Sequence, residues 1–535
     1  MFEGLPVFMF WVSSLNMLRG SPRVEAYAVE DLAARAEAVG AGLGVLVAEL
    51  VSLAGEVAGP GLAAGSFDEI EQRVCMRGRE LLRMVMQHAM DVQAAAERRL
   101  PGVIDAAGVA RTRAERGHAR TVVTSAGPVV VRRVAYRAAG AANLHPRDAV
   151  LNLPVRRYSQ AVQAMAAGFA LEASFGQASQ WLAARIGTAV AQRQIEQIVA
   201  EAARDCEGFY ATRAPVAAGR EIPLVLSADG KGVAMRPEAR RPSRYQHVPG
   251  AFEKRLSTGE KRGVKRMAEV GAVSGALPPQ VPRTPELIMG QAPDPEGRPP
   301  AARQVRAVGR WYAADITADR TATIARIFDE AARRDPAHER TWLVLVDGDR
   351  PQIMMIEREA AARGTPVTLL AGFIHVLEYL WKAGWAFHAP RDPALEAWVT
   401  AQATEILHGR TAGVIDLIKA LAAEHPPRPG SEHDRQIRKT LSYLTCKLPY
   451  LDYPRALAAG WPIATGVIEG ACRHLVQDRL AITGARWGLA GAEAILRLRA
   501  IKANGDLDAY WAHHTEQERQ RNHLSRYQPG HQLAA

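Results

Sequence analysis

The stretch "IPLVLSAD" (222–229) is an apolar run ending in an acid, with Gly230 and Gly232 following. It lacks the polar alternation of a half-exposed strand, so it predicts a strand buried on both faces. A second run, "TWLVLVDGD" (341–349), has the same form and reaches its acid at Asp347. Between them, "KRMAEVGAVSGA" (265–276) and "VRAVGRWYAADIT" (305–317) predict strands, and "ADRTATIARIFDEAARRD" (318–335) predicts an amphipathic helix. Pro351 then opens a helix that stops at Gly364, and "PVTLLAGFI" (366–374) is a last apolar strand. The order is β-β-β-α-β-α-β. It implies a mixed sheet covered by helices, with 222–229 and 341–347 as central strands.

Upstream, residues 24–115 are rich in Ala, Leu, Val and Glu. In "FDEIEQRVCMRGRELLRMVMQHAMDVQAAAERRL" (67–100) Leu81, Leu82, Val85, Met86 and Met90 share a helical face, and the methionines predict core filling rather than a cofactor site. "RTVVTSAGPVVVRRVAYR" (120–137) predicts a hairpin about Ala126-Gly127-Pro128; its Arg132, Arg133 and Arg137 could line nucleic acid or solvate an edge strand. "ASFGQASQWLAARIGTAVAQRQIEQIVAEAARD" (173–205) predicts a helix, a turn at Gly187 and a second helix from about Ala191. That is either a helix-turn-helix, with Gln192, Arg193, Gln194 and Gln197 facing a major groove, or an ordinary helical hairpin. Residues 373–460 return to helical spacing, broken at "EHPPRPGSEHDR" (424–435).

A chain of 535 residues implies roughly two to four domains. The 67 Lys and Arg exceed the 56 Asp and Glu, which favours polyanionic partners. Four scattered cysteines without a CxxC pair argue against a disulfide framework or a structural zinc site, and for a reducing cytosol. The apolar stretch "LPVFMFWVSSLNML" (5–18) is too short to span a bilayer and follows Glu3, so no membrane attachment is expected.

Asp229 and Asp347 each end an apolar strand and precede a glycine. Either could be a simple Asp-Gly turn. A third acid, Glu469, opens a helix in "TGVIEGACRHLVQDRLAITGARWG" (465–488), where it could compensate the helix dipole or bind metal. Three acids on separate elements suit phosphoryl transfer on nucleic acid. Two hard divalent ions activate the attacking oxygen and stabilise the leaving one, and they take carboxylates, water and phosphate as ligands. The segment 236–266 carries Arg236, Arg240, Arg241, Arg244, Lys254, Arg255, Lys261, Arg262, Lys265 and Arg266 against three glutamates, and is the candidate phosphate-tracking stripe. Arg473 and His474 follow Glu469 closely, and Arg486-Trp487 could clamp or stack on DNA.

At these residues a resemblance becomes plain. "LSADGKGVAMRPEA" (226–239), "TGEKRGVKRMAEVGAV" (258–273), "LVDGD" (345–349), "FIHVLEYLWKAGW" (373–385) and the block from "YLDYPRALAAGW" to "GDLDAYW" (450–511) resemble the ISKra family of bacterial insertion-sequence transposases, as does "GAANLHP" (140–146). The similarity runs from about Phe67 to Trp511. It implies a DDE transposase with a ribonuclease H-like catalytic domain, interrupted by a helical insertion before the final Glu. The implied catalytic and metal-binding triad is Asp229, Asp347 and Glu469, with Mg²⁺ or Mn²⁺ as cofactor. Implied partners are the terminal inverted repeats and target DNA, bound by a homo-oligomer on the nucleoid in the cytoplasm. DNA-binding residues would include Arg262, Lys265, Arg266, Arg473, His474, Arg486 and Trp487. One departure stands out: the related pattern has an acid three residues before the His of "FIHVLEYLW", where this chain has Gly372 before His375. Asp349 is the runner-up for the second acid, and His375 is either a phosphate-positioning or a core residue. The competing classes are a catalytically decayed DNA-binding relative and a metal-dependent nuclease of the same fold.

The expected fold is therefore α+β and multidomain. It comprises an N-terminal segment (1–23), a helical region with a β-hairpin (24–140), a helix-turn-helix-like region (141–215), a ribonuclease H-like core (216–372), a helical insertion (373–460), C-terminal catalytic helices (461–512) and a tail (513–535).

Overall fold

The computed structural model describes residues 44–56, 58–59, 65–214, 219–240, 264–291, 304–389, 391–482, 484–531 and 533. The N-terminal segment 1–23 and residues 241–263 of the basic stripe, Arg262 among them, lie outside the described residues. The chain forms two units, residues 1–159 with 522–535, and residues 160–521.

In the first unit, Ser66 and Glu69 form a reciprocal capping box that starts the 29-residue helix Phe67–Ala95. The first half of this helix is joined by Arg73–Glu56 and Arg77–Glu49 ion pairs to the helical residues 44–56. Its second half meets the sheet, where the Gln87 amide exchanges hydrogen bonds with the backbone of Val130. The face carrying Leu82, Val85 and Met86 is exposed, so the expectation that these residues fill a core is corrected. A short ladder pairs β1 (Val103–Ile104) with β2 (Ala110–Arg111). The larger sheet is antiparallel: β3 (Arg113–Thr124), β4 (Gly127–Ala138), β5 (Ala141–Leu144). The hairpin turn falls at Ser125-Ala126, one residue earlier than the sequence suggests. The Thr124 hydroxyl donates to the Gly127 carbonyl, and Gly127 holds the left-handed φ of 124° that the turn requires.

The second unit opens with helices Gln160–Glu172, Phe175–Ile186, Gln192–Ala202 and Cys206–Thr212. Ser174 caps the second of these, and Gly187 ends it at φ 68°. A five-stranded sheet follows, in the order β10-β9-β6-β7-β8: β6 (Leu224–Ala234), β7 (Lys265–Leu277), β8 (Arg306–Asp315), β9 (Trp342–Val346) and β10 (Thr368–Ala371). β6, β7 and β8 are antiparallel neighbours; β9 runs parallel to β6, and β10 parallel to β9. Parallel neighbours need crossovers. Helices Arg320–Arg334 and Arg350–Arg363 provide them, the first capped by Asp319 and the second ended by Gly364 in the left-handed region. All five residues of β9 are buried, as its uninterrupted apolar run predicts.

Strand β6 does not stop at Asp229. It pairs with β7 through Ala234, while its ladder with β9 ends at Ser227–Leu345. Asp229 therefore lies within a strand that has lost its partner on one side. After β10 the chain is helical from Phe373 to Ala458, as expected for the insertion, and returns at helix Gly466–Ala471.

Candidate metal-dependent active site

Ser227 faces Leu345 and Ala371 faces Val346 across the parallel ladders. Carrying that register forward aligns Asp229 of β6 with Asp347 after β9 and Gly372 after β10. Side chains in register on parallel strands share a face, so the three positions form one row at the strands' C-terminal ends. Gly372 stays in the row because its N–H donates to the Val346 carbonyl at 2.8 Å.

Each acid is held differently. Asp229 accepts from the Gly230 N–H at 2.7 Å, and its other oxygen is 3.2 Å from the Lys231 ammonium. Burial opposes the charge on Lys231, but the hydrogen bond and charge of Asp229, reinforced by Glu469, hold its pKa above the ordinary value. Asp347 accepts from the Asp349 N–H at 2.8 Å, and its carbonyl accepts from the Tyr443 hydroxyl at 3.4 Å. Gly348 between them sits at φ 95°, with the Tyr443 ring where a side chain would be. Asp349 is 2.6 Å from Arg320, which also reaches Glu269, so its charge is already paired.

Glu469 stands on helix Gly466–Ala471, which packs on β6 and β7. Its carboxylate accepts from the Thr465 hydroxyl at 2.5 Å. Thr465 is 4% exposed and fills the space beside Gly372: a Cβ there would lie 3.0 Å from the threonine methyl and 3.1 Å from its oxygen. The missing acid at 372 thus has a physical reason in this chain, since the threonine that anchors Glu469 occupies the room. The helix then widens into a π-turn, Cys472–Gln477, a rare form that often marks functional sites. Cys472 is buried beside Asp229, and burial together with that carboxylate's charge pushes its thiol pKa well up.

Among the described residues, one group of three metal-capable side chains has all its donor atoms within 4.8 Å of one another: Asp205, His514 and Glu518. The oxygens of Asp229, Asp347 and Glu469 are spread more widely. The compact group could hold an ion, but Arg521 already pairs with both of its acids, and Asp205 lies 2.7 Å from His514 Nδ1. An ion there would compete with an arginine. The spacing of His514 and Glu518, four residues apart on one helix face, was the signal that sequence reading passed over.

The remaining candidates divide. Arg473, Arg486 and Lys265 are exposed. Arg266 is half-buried and donates to the Ala239 carbonyl at 2.8 Å. His474 is half-buried, its ring edge-on to Tyr312, and His375 is half-buried behind Gly372. Trp487 corrects the expectation of DNA stacking. It is 6% exposed, its indole N–H donates to the Leu480 carbonyl, and its ring lies against Phe175 and beneath Arg479. Comparison with protein-family models finds no match, and comparison with curated proteins finds no similar chain.

Proposed function

We propose that this chain is a DDE transposase of the ISKra type, cleaving the ends of its element and joining them to target DNA with Mg²⁺ or Mn²⁺. The observation that carries this reading is the register that sets Asp229 and Asp347 side by side, with Glu469 on a helix packed over β6. Three antiparallel strands followed by two parallel ones, reached through helices, support a ribonuclease H-like assignment of the sheet. A helical stretch between β10 and the Glu469 helix supports the insertion.

The donor set fits hard divalent ions: three carboxylates on three elements, two of them at exposed positions, with no thiolate or imidazole between them. The attraction of the Lys231 ammonium to Asp229 and Glu469 is what a cation would feel at the same place. Carboxylates too widely spaced to share one ion suit a pair, with Asp229 between the other two. Such ions would activate the attacking oxygen and stabilise the leaving one. The chain's own residues hold the acids through Thr465, Tyr443 and the Asp347 turn, and present Arg473 one turn from Glu469 for a scissile phosphate. Lys265 and Arg266 would track the duplex, and the exposed Gln192, Arg193 and Gln197 would enter a groove. Among the described residues no helix is long and apolar enough to cross a membrane, which agrees with work on the nucleoid.

Purified chain incubated with element-end DNA and Mg²⁺ should nick the ends and form strand-transfer products. Cleavage without joining would indicate a nuclease, and end binding without cleavage a decayed relative.

A further inference from the structure

The first unit concentrates exposed apolar side chains as no other part of the described chain does. Val45, Val47, Leu50, Val51, Phe67, Val74, Met76, Leu82, Val85 and Met86 are each 38–77% exposed, and all fall within two adjoining helices. Helix Phe67–Ala95 has no fully buried residue. On its outward side, Cys75, Leu82 and Ala89 recur every seven residues, with Gly78 and Val85 between them. A period of 3.5 is that of a seam made to pack on another helix. The space beyond Gly78 is open, so a partner backbone can approach closely.

We propose that this stripe is a self-association surface on which a second copy of the chain packs antiparallel, about a two-fold axis at Cys75. Charge chooses the direction. Parallel copies would set Glu71 against Glu71 and Arg79 against Arg79. Antiparallel copies centred on Cys75 set Glu71 against Arg79 twice, because each stands four residues from the axis. Phe67 of each copy then falls beside Leu82 and Met86 of the other. The ten side chains offer on the order of 900 Å² of apolar surface, comparable with the ~800 Å² per partner of a standard interface. A patch of this size on a lone chain would be an aggregation liability.

The test is sedimentation of the full chain without DNA, beside mild oxidation of a Cys446→Ser background, which leaves Cys75 as the one exposed cysteine among the described residues. The expected result is a dimer that oxidation locks covalently, with the lock lost in Cys75→Ser. Leu82→Asp with Val85→Asp should weaken the dimer at least tenfold while leaving the helical circular dichroism unchanged. Glu71→Arg should weaken it, and Glu71→Arg with Arg79→Glu should restore it. A monomer at tens of micromolar overturns the proposal, as does a dimer indifferent to these changes. A monomer whose melting temperature falls with Leu82→Asp would show that the stripe is covered from within its own chain, which also overturns it.

Discussion

Gly372→Ala is the smallest change that tests how Glu469 is held. The backbone there has φ −62° and ψ 123°, which alanine adopts without strain, so any effect must come from contact. The added methyl would stand 3.0 Å from the Thr465 methyl, whereas carbons pack at about 3.5–4.0 Å. Thr465 must therefore retreat by roughly 0.5 Å, at an overpacking cost of about 1–3 kcal/mol. Its hydroxyl is 2.5 Å from Glu469, and a hydrogen bond to a charged group contributes about 1.5–3 kcal/mol. Either that bond breaks or Glu469 moves with the threonine. Catalytic geometry is unforgiving at this scale, so end cleavage should fall about a hundredfold. Mn²⁺ affinity, measured by titration without DNA, should weaken in parallel while end binding stays near normal.

Thr465→Ser added to Gly372→Ala removes the colliding methyl and keeps the hydroxyl, so it should restore most of both properties. Thr465→Ala should not. Gly372→Asp separates two readings of the departure from the family pattern: it should be inactive, since an acid there collides with Thr465 as alanine does. A Gly372→Ala chain that binds Mn²⁺ and cuts as well as the parent would refute the reasoning. A Gly372→Asp chain that gains activity would show that the row's third position, not Asp347, is the true second acid.

Asp229→Asn, Asp347→Asn and Glu469→Gln should each abolish cleavage while leaving DNA retention intact in a filter-binding assay. Asp349→Asn should cost under ~1 kcal/mol of stability and reduce cutting only mildly, since it loses a partly exposed pair with Arg320. Burial, together with the nearby cations Arg133, His118, Arg120 and Arg526, lowers the His145 pKa to about 4. The unfolded chain then takes up a proton below pH 6.5 that the folded chain refuses, so stability is full above pH 6.5 and is lost as pH falls toward 4, by at most about 3 kcal/mol. His145→Gln should flatten that slope in thermal melts of the first unit. Replacing Arg262, Lys265 and Arg266 with Ala should flatten the salt dependence of DNA affinity from about −0.9 per phosphate contact, and an unchanged slope would mean the stripe does not touch phosphates.

The sheet was legible because its signals are local. Uninterrupted apolar runs mark β9 and the start of β6, a proline and a glycine bracket helix Arg350–Arg363, and Gly187 closes a helix that Ser174 opens. Strand ends were less legible. "SADGKG" reads as a turn because Asp-Gly usually is one, yet β7 is long enough to keep β6 extended to Ala234. Gly230 belongs there because a Cβ would meet Met267 and Glu269 at 3.0–3.2 Å. The Phe67–Ala95 helix failed in the opposite way. Its apolar periodicity was real, but periodicity says only that a face exists, not whether the same chain covers it. Trp487 illustrates the same limit, since a tryptophan beside an arginine suits a DNA clamp and a core equally until its indole N–H is seen to donate to Leu480.

Least legible was the link from Gly372 to Glu469, because its members stand far apart in sequence and only strand register joins them. The short ladder between β6 and β9 is what creates the site. Had β9 continued past Val346 in the sheet, Asp229 and Asp347 would be neighbours inside a ladder, with no free edge for a ligand. Instead the chain turns at Gly348, where the ring of Tyr443 takes the place of a side chain, and the acids are left at an open edge. The insertion that supplies Tyr443 therefore shapes the Asp347 turn, as Thr465 shapes Glu469. Tyr443→Leu should then weaken Mn²⁺ binding as Gly372→Ala does, through a different acid and 22 residues upstream of Thr465. If the two effects act on separate carboxylates, they should add in the double variant; a double variant no worse than either single one would mean that both act through one shared distortion.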